Sequence, residues 1–408
     1  MASTAVKMAA TDSLSVYKSR GSTPSLTTAR SSSTDNSSSS STSITLKSTI
    51  TSSTSTSISS PSKASSDINM ATTSSHIGDF RKVIETCNKF DFAANKASLF
   101  RFFVLNHDKH VGYMLPQFIQ QMDWNVDGFK IDKDTKTVLL DPATRAGETM
   151  EQACQRAFVN LCESNVDKVL GLENWVILQR NGRDLEYHPV LGLPPNLRWL
   201  KVPSPLRGVF GIVTAGAHMT MFTVKPKEGT NVPGVFVWVS KRSENVTYAG
   251  KLDQLVAGAM GPDDDHNPLK ALSREAMEEA GLEMDIATRD VMSDGRLIGK
   301  VEECDRISFY DRKGAVAGTE QGQLEPGIRY TYMLKVPDDY VPKPCEPHSI
   351  DGFHLLSLAE VEKSLKEDRW KPNCALAMLS FLREECFGGD RAVALKNALQ
   401  PELPFEGI

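Results

Sequence analysis

Arg274-Glu-Ala-Met-Glu-Glu-Ala-Gly-Leu282 is the stretch on which the reading of this chain turns. Just upstream, Asn267-Pro268 supplies a helix start, an Asn cap followed by Pro in the first turn. Gly281 is the residue wanted just past a helix end. Between them, Leu269, Leu272, Ala276 and Ala280 recur at helical spacing and predict one buried stripe. Glu275, Glu278 and Glu279 stand at i, i+3 and i+4, so they share a face. Like charges at that spacing destabilise a helix by ~0.2–0.5 kcal/mol per pair, and a cation seated on them reverses the effect. Oxygen-rich, hard ligands suit Mg²⁺ or Mn²⁺. A triple-glutamate helix without further context is a solvated acidic face, so its surroundings decide.

Those surroundings begin with Ala257-Gly258-Ala259-Met260. Arg274–Leu282 resembles the R-E-U-x-E-E-x-G-U core of the Nudix box, U being a bulky aliphatic residue, and Ala257–Met260 resembles the Gly-Gly-aliphatic turn that opens it. The resemblance implies an α/β/α sandwich around a mixed sheet, with this helix packed against it. It also implies hydrolysis of diphosphates linked to another moiety. Glu275, Glu278 and Glu279 would be the metal ligands or the base that polarises water, and Arg274 would hold one glutamate by a charge-assisted hydrogen bond. The chemistry is coherent, because divalent ions neutralise a diphosphate, orient the attacking water and lower its pKa.

Two departures stand in the box. Counting back eight residues from Arg274 reaches His266 where the box has Glu, and the box glycine falls on Met260. Aligning Ala259 with that glycine requires one extra residue in Gly261-Pro-Asp-Asp-Asp-His266, and Asp264 or Asp265 then replaces the missing carboxylate. Asp263–Asp265 reads equally well as an acidic surface loop. Met260 and His266 favour a rival reading, a Nudix-fold binding module that has lost turnover; the intact Arg274-Glu275 and Glu278-Glu279 pairs oppose it.

A wider set of motifs extends the resemblance over roughly residues 80–400: Gly211-Ile-Val-Thr-Ala-Gly-Ala-His-Met-Thr220, Val237-Trp-Val-Ser-Lys-Arg-Ser243, Tyr248-Ala-Gly-Lys-Leu-Asp253, Glu325-Pro-Gly-Ile-Arg-Tyr330 and Lys371-Pro-Asn373. Together they are similar to the Nudix proteins related to thiamine pyrophosphokinase, which carry an extra N-terminal domain. That subgroup implies cleavage of thiamine diphosphate, especially its oxidised oxy and oxo forms, to the monophosphate and phosphate. The alternative on the same machinery is an oxidised nucleoside diphosphate of the 8-oxo-dGDP type or another nucleotide diphosphate derivative.

Further side chains carry weaker expectations. Lys241 and Arg242 end a strand near the site and, with Gly258, are candidates to hold substrate phosphate; they serve equally as an ordinary strand end. Trp238, Tyr248 and Tyr330 can stack on a ring, although strand aromatics are mostly core. His218, on an apolar strand, reads as a packed core histidine. Glu320, Glu325 and Asp351 are candidates for an additional carboxylate from outside the box, Glu320 within the Gly-rich loop Gly314 to Gly327.

Composition bounds the rest. The 408 residues are 40% hydrophobic and 24% charged, with a net charge of −5. That is a globular composition with no general nucleic-acid surface, and no apolar run approaches the ~18 residues of a membrane span. Seven scattered cysteines with no C-x-x-C pair fit neither a disulfide framework nor a zinc site. Between Ser31 and Ser60, 23 of 30 residues are Ser or Thr, so residues 1–76 read as a disordered tail. Its six basic and three acidic groups leave −8 on the remainder. The expected location is cytoplasmic, with a solvated, phosphorylatable tail; the same basic, acid-poor composition is also that of a mitochondrial transit peptide. Residues 77–205 read as a small α+β domain and 206–408 as the Nudix domain with C-terminal helices. Within them, Trp175–Gln179 and Asp184–Pro189 read as a strand pair, Gly208–Thr214 as a strand, and Pro203-Ser-Pro205 as an exposed boundary. The expected partner is a small-molecule diphosphate; oligomeric state is not encoded legibly.

Overall fold

The structure is a computed structural model that describes residues 78–408; the tail expected over residues 1–76 lies outside the described residues. Alternation builds the first sheet. Phe100, Phe102 and Val104 of β1 (Phe100–Val104) point inward while Arg101 is exposed. With β2 (Gly112–Met114), β3 (Phe129–Asp132) and β4 (Thr137–Leu140) it forms a sheet of order β2-β1-β4-β3, in which only the β1–β4 pair is parallel. The turn between β3 and β4 is held by Asp132, whose Oδ1 accepts from the Asp134 and Thr135 N–H groups. The helix Met150–Glu163 starts in a capping box of Thr149 with Gln152 and buries Ala153, Ala157, Phe158 and Leu161.

Three local expectations are corrected. Residues 175–179 do not form a strand: Leu172–Arg180 is a helix, because Leu172, Trp175 and Val176 fall at i, i+3 and i+4 and are buried together. The strand β5 (Tyr187–Pro189) pairs instead with β6 (Lys201–Pro203). That pairing buries Pro203 and Ser204, so the segment is not an exposed boundary. Arg207–Phe210 is a helical turn rather than a strand, closed by Gly211 at φ 58°.

The second sheet comprises β7 (Thr214–Pro226), β8 (Pro233–Arg242), β9 (Leu252–Gln254), β10 (Val256–Ala259), β11 (Glu283–Met284), β12 (Asp290–Ser293), β13 (Arg296–Arg312), β14 (Leu324–Lys335) and β15 (Ile350–Ser357). Its main path is β11-β12-β13-β14-β7-β8-β15, with β10 on β7 and β9 on β8. The β14–β7 pair is parallel and its neighbours antiparallel, so the sheet is mixed as expected. Alternation along β7 sends Ala215, Ala217, Met219 and Met221 to the face covered by the helix Pro268–Ala280. The opposite face carries Phe222 and is covered by the helix Pro372–Glu385. The result is the α/β/α sandwich. A further buried cluster joins the first sheet to this one, through Phe102, Phe158, Phe210, Tyr310 and Ile328. Among the described residues no helix is long and apolar enough to cross a membrane.

Candidate active site

The helix Pro268–Ala280 forms as its punctuation predicts. Asn267 Oδ1 accepts from the Leu269 N–H, Pro268 opens the first turn, and Gly281 at φ 62° closes it. Ala271, Leu272, Ala276 and Ala280 are buried against the sheet, with Leu269 partly so. This orientation brings Glu275 and Glu279 alongside β10. The Glu279 carboxylate accepts from the Ala257 N–H at 2.8 Å. Glu275 lies so close to Gly258 that a Cβ there would collide with its carboxylate, which is why the position must lack a side chain. Glu278 faces outward, 47% exposed.

Arg274 binds the cluster together. Its Nη1 donates to Glu275 at 2.8 Å and to Glu278 at 3.2 Å. Its Nη2 donates to the Ala259 carbonyl at 3.0 Å and to Asp264 at 3.1 Å. Asp264, buried in the short turn Pro262–Asp264, also accepts from the Gly261 N–H at 2.7 Å. The structure therefore brings Asp264 to the arginine, whereas Asp265 pairs with Lys270 and His266 approaches only the Arg198 carbonyl, at 3.5 Å. Met260 is 2% exposed and belongs to the core under the helix, so an apolar side chain at that box position serves packing.

One guanidinium shared by three carboxylates leaves the site short of positive charge. Burial raises Glu275 to about 7, with Arg274 opposing and Glu278 and Glu346 reinforcing the rise. Burial, then the neighbouring Glu275, pushes Glu279 well above the usual carboxylate range. Glu346 was not legible as a site residue; it acts on both glutamates from a proline-rich loop whose Cys345 N–H donates to the Glu279 carbonyl at 2.8 Å. Oxygen-only donors in a cation-poor, partly buried cluster suit a hard divalent ion. The residues able to hold one are Glu275, Glu278 and Glu279, with Glu346 beside them.

On the other side of β10 lies a cavity of about 130 Å³, walled by Ala257, Gly258 and Ala259 as well as Thr214, His218, Tyr248 and a set of charged side chains. Glu320 and Glu325 are here rather than at the helix, in an alternating chain Arg207–Glu320–Lys313–Glu325–Arg329. Sequence reasoning missed its three cations, although Arg329 in an otherwise apolar strand was a visible signal. Asp351 pairs with Lys241 at 2.6 Å away from the cavity wall, and Arg242 is tied to Asp253 at 3.0 Å behind it. Trp238 packs in the core and Tyr330 against it.

His218 is buried, as a core histidine should be, and its Nδ1 pairs with Gln254 Oε1 at 3.0 Å. Burial and Arg329 push it down to about 3, so it is neutral. One ligand atom each of His218, Asp253 and Cys374 falls within 4.8 Å of the others. Asp253 is already engaged by Arg242 and by Lys371 at 3.6 Å, which leaves no free charge there for a divalent ion. All seven cysteines are free.

No family model matches the chain. It is 30% identical over 189 residues to the uncharacterized protein YJR142W of Saccharomyces cerevisiae, covering 45% of this chain and 50% of that protein. It is 30% identical over 177 residues to Nudix hydrolase 20, chloroplastic, of Arabidopsis thaliana, covering 42% and 40%. It is 25% identical over 314 residues to Nudix hydrolase 24, chloroplastic, of the same plant, covering 76% and 73%. The chain thus spans half the length or less of the first two relatives. The plant relatives support the Nudix hydrolase family for this chain.

Proposed function

We propose that this chain is a divalent-metal-dependent Nudix pyrophosphohydrolase that cleaves thiamine diphosphate, or its oxidised oxy and oxo forms, to the monophosphate and phosphate. The observation that carries the hydrolase reading is the pair Glu275 and Glu279, half-buried side by side along β10 with too little positive charge to match them. The thiamine assignment is supported by the run of motifs from Gly211 to Asn373. Bound Mg²⁺ (or Mn²⁺) would neutralise the diphosphate oxygens and make the attacking water more acidic.

The chain's own groups set the geometry. Arg274 holds Glu275, Glu278 and Asp264 at fixed positions, and the Ala257 N–H orients Glu279. Gly258 lets the Glu275 carboxylate rest on backbone beside the Glu279 carboxylate bonded to the Ala257 N–H, so the phosphate end is met there and the remainder of the substrate on the cavity side of the same strand. Residues 77–205, taken as a domain distinct from 206–408, contribute Cys87, Glu186 and His188 to the cavity wall and so shape it.

The test is phosphate release from oxythiamine diphosphate, 8-oxo-dGDP and ADP-ribose, with Mg²⁺ or EDTA, for wild type and Glu279→Gln. The expected result is metal-dependent release from the thiamine analogue, reduced roughly 10²–10⁴-fold by the substitution. Release from the nucleotides alone keeps the machinery and moves the substrate. No release from any of them leaves a binding module.

A further inference from the structure

Within the cavity wall one carboxylate is matched and its neighbour is not. Asp311, near the end of β13, is 2% exposed and stands directly opposite Glu325 in the β13–β14 register. Glu325 has Lys313 and Arg329, each at 3.2 Å. Asp311 has the Lys89 ammonium at 4.0 Å, on a side chain 45% exposed, and a long 3.4 Å bond from the Lys89 N–H. A buried carboxylate without a close cation is costly, and the cations of the wall are engaged elsewhere, Arg207, Lys313 and Arg329 with Glu320 and Glu325, and Lys371 with Asp253. Thr214 Oγ1, in the same wall, is buried with no hydrogen-bond partner. Tyr248 completes this side from a residue at φ 59°, a left-handed backbone that a bulky aromatic seldom adopts, with its hydroxyl in the field of Glu325 and Asp311. Strain of that kind persists where a side chain is needed in one place.

We infer that Asp311 is a specificity-determining residue: it pairs with a positively charged ring on the non-phosphate end of the substrate, with Thr214 and Tyr248 as neighbouring contacts. This rests on the pyrophosphohydrolase reading above. A neutral ring matches the Asp311 charge less well, and a ring bearing its own negative charge is repelled. The inference concerns selection and assigns Asp311 no part in bond cleavage.

The test compares Asp311→Asn with wild type on two diphosphates, thiamine diphosphate with its cationic ring and ADP-ribose with its neutral base. A charge-assisted contact predicts a rise of about ten-fold or more in KM for the cationic substrate. KM for ADP-ribose and kcat for both should stay within about two-fold of wild type. Equal effects on both substrates, or none, overturn the inference. Thermal melting separates misfolding from selection, since Asp311→Asn removes a buried charge and should melt no lower than wild type. Calorimetric titration with thiamine itself, which has no phosphate, covers the case in which wild type hydrolyses nothing. Binding that the substitution abolishes then upholds the role of Asp311 while the hydrolase reading fails; absence of binding to wild type overturns the inference too.

Discussion

Two groups of charges lie on either side of β10, and they are built on opposite plans. In the cavity wall, Arg207, Glu320, Lys313, Glu325 and Arg329 alternate in sign, so each carboxylate touches two cations. On the helix side, Glu275, Glu278 and Asp264 share one guanidinium, while Glu279 has a single backbone N–H. Desolvation acts on both groups. In the first it is overcome by Arg207 and Lys313, which hold Glu320 at about 2; in the second it prevails, and Glu275 rises to about 7. Matched charges make structure. Unmatched ones make a site that asks for a ligand.

The contrast can be broken most forcefully on its matched side. Glu320→Gln would leave Arg207 and Lys313 half-buried or buried without their shared partner, with an expected loss of about 3–5 kcal/mol in denaturant unfolding. A loss below about 1 kcal/mol would show that the chain of pairs contributes little.

A pH profile sharpens it next. Asp311, which burial raises to about 6 from its ordinary 3.8 against Lys89 and with Glu325, binds its proton more tightly folded than unfolded. Its contribution therefore favours the fold fully below about pH 4 and is lost as pH rises through about 6, amounting to about 2–3 kcal/mol by linkage. Thermal melts of wild type and Asp311→Asn between pH 4 and 8 should diverge with that sign, the variant gaining relative stability as pH rises. Parallel curves would remove Asp311 from the unmatched set.

The smallest effect is expected at Gly258. Gly258→Ala pushes the Glu275 carboxylate aside without touching the core, so Mg²⁺ titration should show affinity lowered about 10–100-fold, with melting little changed.

The helix side of this comparison was legible in the sequence because everything that makes it is local. Asn267, Pro268, the 269–280 stripe and Gly281 lie within one stretch, and spacing alone puts the glutamates on one face. The cavity side was not, because its pairs are made by topology: Arg207 meets Glu320 across 113 residues, and Asp311 faces Glu325 only through strand register. Glu346 was hidden for the same reason, in a loop that backbone hydrogen bonding draws to the helix end. The misread segment at 175–179, part of the helix Leu172–Arg180, shows the limit of periodicity itself. Trp175-Val-Ile-Leu178 suits a strand as well as a helix, and only the burial of Leu172 with Trp175 and Val176 decides between them.

Where the first sheet meets the second, two glycines lie face to face. A Cβ on Gly112 would strike the Phe210 carbonyl, and one on Gly211 would strike the Tyr113 carbonyl. The backbones touch directly, through the Gly112–Ile212 bridge and the Tyr113 N–H to Gly211 bond, with Phe102 and Phe210 ring centroids 4.3 Å apart beside them. Such a seam works as a weld, since neither half can slide without breaking main-chain contacts. A gene fragment beginning at residue 206 would release the glutamate helix with Phe210, Tyr310 and Ile328 stripped of their cover, so the half that carries that helix is not a portable part.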